Sequence, residues 1–449
     1  MAKSIAVPPS NWMELIQNNP NVLSKSQELF NIIEQAQNEY THWNEFKHFP
    51  MPKGIKPEEA WARLKFTRLT TIEAVPVKSK DDRIFHFSMN KTIFQMLSYI
   101  DTNASGFLVS DDQKPTTSQK DQLILSGITE EAIASSQLEG ASTSRKVAKE
   151  MIYTNRKPRT HSEQMIVNNF QVMQGLSDWK NKELRLDMLL NIQSIITQNT
   201  LENTVDSGRL REDVDNIQVV DALTGDPIFI PPNSTLMRHE LDRLIHYANE
   251  PINSKSFTHP VIKACILHFW LAYLHPFIDG NGRTARALFY WYLLKHNYWL
   301  FKYLSVSRII KKSSKIAYDR SFVYSENDDN DMTYFIFYNL KVITQSISEF
   351  IDYYEAKVKE ETKLRVASSN LPDLNDRQVK LLLYSVNHPH KTISINQHQT
   401  VNQIAYETAR RDLTQLENKG YYKNTLIGKK YVYMPCIESI QKLLNSEKN

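Results

Sequence analysis

Apolar residues recur three and four positions apart over most of the chain, the spacing of helices with one buried face. The pattern predicts helical stretches over 24–47 and 57–69, a mixed segment near 83–101, and helices over 121–138, 141–153, 162–178, 184–202, 235–248 and 257–274. In the last of these, Ile262, Cys265, Ile266, Phe269, Trp270 and Tyr273 make a wide buried face. The helix expected over 283–296 contains ALFYWYLL (287–294), which is apolar all round and so should be buried on every side. A last long helix is expected over 331–362. The period changes in two places. In NIQVVDALTGDPIFIPP (216–232), two short β-rich runs flank Thr224-Gly225-Asp226 and predict a hairpin. Over 374–434 a helix (LNDRQVKLLLYSVN), the run TISI, a helix near 404–418 stopped by Gly420, and two β-rich runs around Gly428 follow one another. DDQKPTTSQK (111–120) predicts a loop and VASSNLPDLNDRQ (366–378) a linker.

Composition narrows this picture to a mainly α protein. At about 150 residues per domain, 449 residues imply two or three domains. The chain has only 11 glycines, where average usage of about 7% would supply about 31. That scarcity argues against loop-rich β architectures and makes each glycine informative, above all Gly280 and Gly282, one residue apart. Two cysteines exclude a disulfide framework and a Cys-rich zinc site. Pro8 and Pro9 interrupt any signal-peptide run, and the longest apolar run falls far short of a membrane span, so a cytoplasmic protein with no membrane partner is expected. With 54 Lys+Arg against 50 Asp+Glu, a net charge of +4 is too mild to imply nucleic acid without a local patch. The expected organisation is an unassigned region over 1–110, a region around a helix over 111–160, a core over 161–362 and a small module over 371–440.

The chemistry concentrates in HPFIDGNGRTAR (275–286), a polar loop between two buried helices. Gly280 and Gly282 let backbone N–H groups point inward, and the following helix adds its unpaired N-terminal donors, which together make a nest for phosphates. Asp279 offers a hard oxygen ligand suited to Mg²⁺, which uses one or two carboxylates plus substrate phosphates. Arg283 and Arg286, three apart on the first turn, are placed to neutralise a polyphosphate. His275 alone has an ordinary pKa near neutrality and is the natural base for an incoming hydroxyl. A lone His-Pro or Gly-x-Gly is usually structural; this combination within twelve residues has no structural use.

The loop resembles the Fic motif, HPFx(D/E)GNGRxxR, at every defined position, and the resemblance extends over about 110–345. It implies a helical Fic fold with a β-hairpin flap that transfers AMP from Mg-ATP to a Ser, Thr or Tyr hydroxyl of a protein, itself included. By motif position His275 is the base, Asp279 the Mg²⁺ ligand, Asn281 with the Gly280 and Gly282 backbone the phosphate contact, and Arg283 and Arg286 the holders of the β- and γ-phosphates. Both glycines of the motif are present, which favours nucleotidyl over phosphoryl transfer. The hairpin would be the flap that pairs with the target, through Val219, Val220, Ile228, Phe229 and Ile230. Tyr318 resembles the family's adenine-side tyrosine, and an acidic stretch, SENDDND (325–331), follows it.

On spacing alone Ser135 and Glu139 read as a solvated helix face capped by Gly140. Ser135-x-x-x-Glu139-Gly140 also resembles the inhibitory motif of Fic proteins, in the class that carries it ahead of the core. The resemblance implies that Glu139 pairs with Arg286 and blocks productive ATP binding. In some members the same glutamate positions a water that removes AMP from the target, so removal of AMP is an alternative activity. The C-terminal module resembles a winged helix-turn-helix, with Tyr406–Asn418 as recognition helix and 421–434 as wing. Arg410, Arg411, Lys419, Lys423, Lys429 and Lys430 would give it a basic face for DNA, and a DNA-binding regulator with a self-modifying Fic domain is the reading from a different class. Winged helices also pack on protein partners or form homo-oligomers. The basic run Arg145–Arg159 reads as a solvated face.

Overall fold

Where the apolar spacing is strong, a helix forms. The computed structural model describes residues 5–18, 26–105, 117–220, 227–251, 257–371, 373–388, 391–427 and 430–445. It divides into two compact units, Met1–Phe350 and Ile351–Asn449.

The first unit begins with α1 (Trp12–Asn18), α2 (Gln27–Glu39), α3 (Trp43–Phe46) and α4 (Pro57–Leu69). The single helix expected over 24–47 is broken, because Tyr40 takes a left-handed conformation (φ 49°) and turns the chain so that Trp43 and Phe46 pack on Trp61. Next come β1 (Ile72–Lys78) and β2 (Ile84–Ser88), an antiparallel pair whose first strand the sequence pattern did not announce, and α5 (Lys91–Ile100). The central helices are α6 (Thr117–Leu138), α7 (Arg145–Tyr153), α8 (His161–Trp179) and α9 (Leu186–Thr197). The predicted loop 111–120 is partly helix, since α6 already starts at Thr117; 111–116 lie outside the described residues. The hairpin forms as β3 (Val219–Val220) against β4 (Pro227–Phe229), with Val219 opposite Phe229. Its turn, Thr224-Gly225-Asp226, lies outside the described residues.

Then follow α10 (Ser234–Asn249), α11 (Pro260–Leu274), α12 (Asn281–Lys295), α13 (Val306–Ser313), α14 (Lys315–Asn327) and α15 (Thr333–Asn370). The sequence pattern left α13 and α14 unassigned. It also expected α15 to stop near 362, whereas helix continues to Asn370, through the first part of the expected linker. α11 and α12 pack side by side at the centre; α12 is buried nearly all round as expected, α11 more completely than its expected single face, and α6 packs on α8 and α13. The acidic stretch after Tyr318 is largely an interior feature. Asp328 and Asp331 are buried; Lys65 reaches Asp328 at 2.8 Å, Tyr40 donates to Asp331 at 2.5 Å, and the Arg68 guanidinium lies 3.9 Å over the Tyr40 ring. These contacts bind the N-terminal helices to the α14–α15 turn. The Arg145–Arg159 run is likewise more than a solvated face, because Arg145 and Lys149 hold Glu130 of α6 and Arg156 holds Glu163 of α8 at 2.9 Å.

The second unit contains α16 (Asp376–Asn387), α17 (Ile395–Asn402), α18 (Tyr406–Asn418), the antiparallel pair β5 (Tyr422–Ile427) and β6 (Lys430–Pro435), and α19 (Ile437–Asn445). The first helix, the helix near 404–418 and the hairpin follow in the expected order; TISI contributes a single bridge between Ile393 and Tyr433, and α17 is an addition to the pattern. Gly428 and Lys429, at the hairpin turn, lie outside the described residues. Val379, Leu382, Leu413, Leu416, Tyr422 and Ile440 form its core. One buried carboxylate ties three helices: Asp412 of α18 accepts from Asn375 (3.0 Å), Arg377 (2.8 Å) and His398 (3.1 Å). Removing it strands those donors, so Asp412→Ala is expected to destabilise this unit by about 3 kcal/mol, read as a lowered chemical-denaturation midpoint with unchanged slope.

Candidate functional site

The loop between α11 and α12 is built by backbone exceptions at both ends. His275 caps α11 in a left-handed conformation (φ 47°), and Gly280 precedes α12 at φ 86°. A Cβ on Gly280 would press to 3.1 Å on Ile196 and Thr197 of α9, so the loop needs glycine there for space as well as torsion. Asn281 closes the turn by accepting from the Phe277 N–H at 2.9 Å and donating to the Phe277 carbonyl at 2.7 Å. Its side chain therefore braces the loop.

His275 is partly covered. Its Nδ1 faces the Ala272 carbonyl at 3.3 Å, and because a carbonyl only accepts, that contact places the proton on Nδ1 and a lone pair on Nε2. Burial pushes its pKa down to about 4, against the opposing pull of the Ala272 carbonyl and the Glu139 charge, so the ring is neutral at neutral pH. Asp279 is half exposed; its Oδ2 lies 3.1 Å from Arg283 and its Oδ1 accepts from the Gly280 N–H at 2.5 Å. Arg283 is buried and donates to the Ile196 carbonyl at 3.0 Å, while its Nε has no partner among the described residues.

Arg286 is where the two sequence signals meet. Its Nε donates to Ser135 Oγ at 2.8 Å, and its Nη2 donates to the Ser135 carbonyl at 3.0 Å and to Glu139 Oε1 at 2.7 Å. Burial works against the charge of Glu139, but Arg286, with Arg283 and Lys315 behind it, outweighs burial and holds the carboxyl below the usual range. The same carboxylate lies over the first turn of α12, where the residue preceding the helix supplies no side-chain cap. A Cβ built on Gly282 would overlap it, with Glu139 Cδ only 2.8 Å away. The nest expected to take an anion thus already faces one from α6. That helix is firmly seated: buried Glu131 accepts from Tyr290 (3.0 Å), Ser305 (3.1 Å) and Ser307 (2.5 Å), and a Cβ on Gly127 would come within 2.6 Å of the Tyr303 carbonyl carbon. Gly140 (φ 96°) ends the segment as expected.

Tyr318, expected on an adenine side, is buried, with its ring against Phe322, Phe335 and Tyr338 and its hydroxyl 3.0 Å from His268 Nε2. Burial pushes its phenol pKa up, with the Arg286 charge opposing. On the hairpin, Val220, Ile228 and Ile230 are exposed, whereas Phe229 turns inward onto Tyr273, at 5.3 Å between ring centroids. Two residues that the sequence did not single out hold the loop from outside. Buried Arg211 donates to the carbonyls of His275 (2.7 Å), Pro232 (2.5 Å) and Leu274 (3.2 Å), and Gln193 donates to the Asp279 carbonyl at 3.1 Å. Both come from segments more than 60 residues away, so no local pattern marks them. No group of three or more His, Cys, Asp or Glu able to hold a metal occurs among the described residues. No helix among them is long and apolar enough to cross a membrane.

Comparison with known proteins matches this geometry. Residues 183–293, which span α9 to α12, match the Fic/DOC family profile. A protein adenylyltransferase Fic from Drosophila virilis is 36% identical over 69 residues, and one from Drosophila grimshawi is 40% identical over 70. Each match takes in 15% of this chain and 14% of the relative's length. Among solved structures, a Fic family protein from Desulfovibrio desulfuricans G20 superposes with TM-score 0.50 at 17% identity, over 78% of this chain and 98% of that one. A variant fragment of Fic-1 from C. elegans gives 0.51 at 18%, over 78% and 90%. At these identities the likeness is one of fold, and that fold is the helical one expected. Residues 183–293 of this chain therefore form a Fic/DOC domain.

Proposed function

We propose that this protein is a protein adenylyltransferase held in check by its own Glu139. The observation that carries the reading is the meeting of α6 with the loop: one carboxylate pairs with Arg286 and lies over Gly282. A phosphate group and a carboxylate are both anions seeking the same donors, so Glu139 and a nucleotide's terminal phosphate compete for Arg286.

With Glu139 withdrawn, the loop has what the transfer needs. His275 Nε2 takes the proton of an incoming Ser, Thr or Tyr hydroxyl as its oxygen bonds to the α-phosphorus of ATP. The bond from that phosphorus to the bridging oxygen breaks, and pyrophosphate leaves with the electron pair. Arg283 and Arg286 and the N-terminus of α12 bind the charge on the departing phosphates. The donor chemistry fits Mg²⁺: Asp279 is a half-exposed hard oxygen ligand beside the nest, and a nucleotide would bring further oxygens. When bound, the ion would neutralise phosphate charge. The exposed hairpin residues Val220 and Ile228 offer an edge for the backbone of a target.

A second reading concerns the second unit. Arg410 and Arg411 are exposed on α18, whose opposite face is buried by Leu413 and Leu416, and Lys423 is exposed on β5. That arrangement suits a winged helix-turn-helix facing an anionic duplex. If it binds DNA, the affinity should fall steeply with salt, and the double variant R410E/R411E should lose binding at least about tenfold in a fluorescence-anisotropy titration. Equal binding by wild type and variant removes this reading.

For the transferase, incubation with α-labelled ATP and cell lysate should give weak protein labelling with wild type. Glu139→Gly should raise it about tenfold or more, the scale of one charge-assisted hydrogen bond. His275→Ala in that background should lower it by about 10²–10⁴-fold. Unchanged labelling in Glu139→Gly would sink the inhibitory role. The pH profile gives a separate check. A base with its pKa lowered to about 4 is neutral above that value, so kcat/KM should hold from neutrality down to about pH 5 and fall only near 4, well below the ordinary histidine midpoint.

A further inference from the structure

The last carbonyls of α11 have no partner within their own helix, and they carry the negative end of its dipole. Arg211 meets them. Its Nε donates to the His275 carbonyl at 2.7 Å and its Nη2 to the Leu274 carbonyl at 3.2 Å, while its backbone N–H donates to the Pro276 carbonyl at 2.9 Å. The other N–H of Nη2 leaves the loop and donates to the Pro232 carbonyl at 2.5 Å, three residues beyond the end of β4. Arg211 is buried, and among the described residues its guanidinium hydrogen-bonds only to carbonyls. A buried cation without a carboxylate is costly, and bracing alone does not need one: Gln193 holds the Asp279 carbonyl with a neutral amide. What the guanidinium adds is its fork, which reaches two segments at once. The roots of the hairpin are also tied to each other. Asp213 accepts from the Ser234 N–H at 2.6 Å, and Glu212 pairs with Arg238. Arg209 closes the turn that leads into β3 by holding Asp206 at 3.0 Å and Asp215 at 2.8 Å. On the hairpin itself, Phe229 packs on Tyr273, two residues before His275.

We propose that Arg211 is a positioning residue that fixes the β3–β4 hairpin at a set distance from His275, so that a target laid along the hairpin brings its hydroxyl to Nε2. This rests on the reading of the hairpin as the docking edge of a transferase. Arg211 touches neither target nor nucleotide; it acts through the carbonyls of Pro232 and His275. Transfer is sensitive to such spacing, because a reacting group displaced by about 1 Å can cost about 10²-fold in rate. Nucleotide binding is not, since its proposed donors Arg283 and Arg286 belong to α12, and none of the Arg211 hydrogen bonds goes to that helix.

The test uses the full chain in the E139G background, with labelling of lysate proteins by α-labelled ATP read beside ATP affinity from calorimetry in the presence of Mg²⁺. R211K keeps the charge but gathers its donors at one point, so it cannot span both segments. It should lower labelling about 10–100-fold while ATP affinity stays within about threefold. D213A, an exposed change that opens the tie between the hairpin's roots, should lower labelling about 3–10-fold, the scale of one hydrogen bond. It carries the test if R211K shows no cooperative melting. With the hairpin disabled by V220D/I228D, either change should cost less than about twofold more, because its effect passes through docking. Labelling unchanged by R211K, or by D213A where R211K does not fold, overturns the proposal. An equal fractional loss with and without the hairpin changes also overturns it, since Arg211 would then only shape the His275 loop, and so does a matching loss of ATP affinity. If V220D/I228D itself leaves labelling intact, the docking reading falls and takes this inference with it; if it lowers labelling and R211K is silent, only this inference falls.

Discussion

A guanidinium buried to 4% exposure must be paired at all times, and most of the candidate site follows from that constraint on Arg286. Its charge cannot be surrendered, because an arginine does not lose its proton under any ordinary condition. Its helix, α12, is apolar on every side and cannot rotate the group into water. The fold therefore brings acceptors to it: a hydroxyl and a carbonyl from Ser135 and a carboxylate from Glu139. Inhibition in the proposed reading is a by-product of this necessity. The carboxylate that satisfies the arginine in the absence of ligand is the one that a ligand anion must displace.

The loop itself shows how few exceptions a helical chain needs in order to build an anion site. Two positive-φ residues, His275 and Gly280, bring the end of one helix onto the start of the next. Asn281 staples the turn, and Arg211 and Gln193 hold its carbonyls from distant segments. Held in this way, the loop presents N–H donors and a neutral imidazole without relying on a mobile segment. The N-terminal helices reach it indirectly. Their Lys65, Arg68 and Tyr40 bind the turn after α14, and α14 is the helix that carries Tyr318.

Features encoded locally could be read from the sequence, and features encoded across long separations could not. The α11–loop–α12 unit was readable because apolar periodicity, glycine spacing and the polar run fall within about thirty residues of one another. Glu139 was readable only through the resemblance; on periodicity alone it is a solvated residue, and its pairing with Arg286 spans 147 positions. Arg211, Gln193 and His268 carry no local mark, since a buried polar residue on an apolar helix looks like an interruption until its partner is known. The role of the acidic stretch 325–331 was hidden for the same reason: buried Asp328 and Asp331 are neutralised by Lys65 and Arg68, more than 250 residues earlier. The break at Tyr40 reflects tertiary packing overriding a smooth pattern.

In the proposed reading, the seating of α6 sets the scale on which Glu139 can move. Glu131 is bound by three side-chain hydroxyls deep in the unit, and Gly127 lies flush against the Tyr303 backbone, so the middle of this helix is a fixed post of the architecture. Beyond it Ser135 and Leu138 are still buried, and the segment ends at the left-handed Gly140, where a Cβ would meet nothing within 4 Å. Fraying one terminal turn breaks a few hydrogen bonds and one ion pair, whereas extracting the helix would unmake the core. In the proposed reading, relief is therefore a local event at this last turn, and a ligand or partner need reach no further to bring it about.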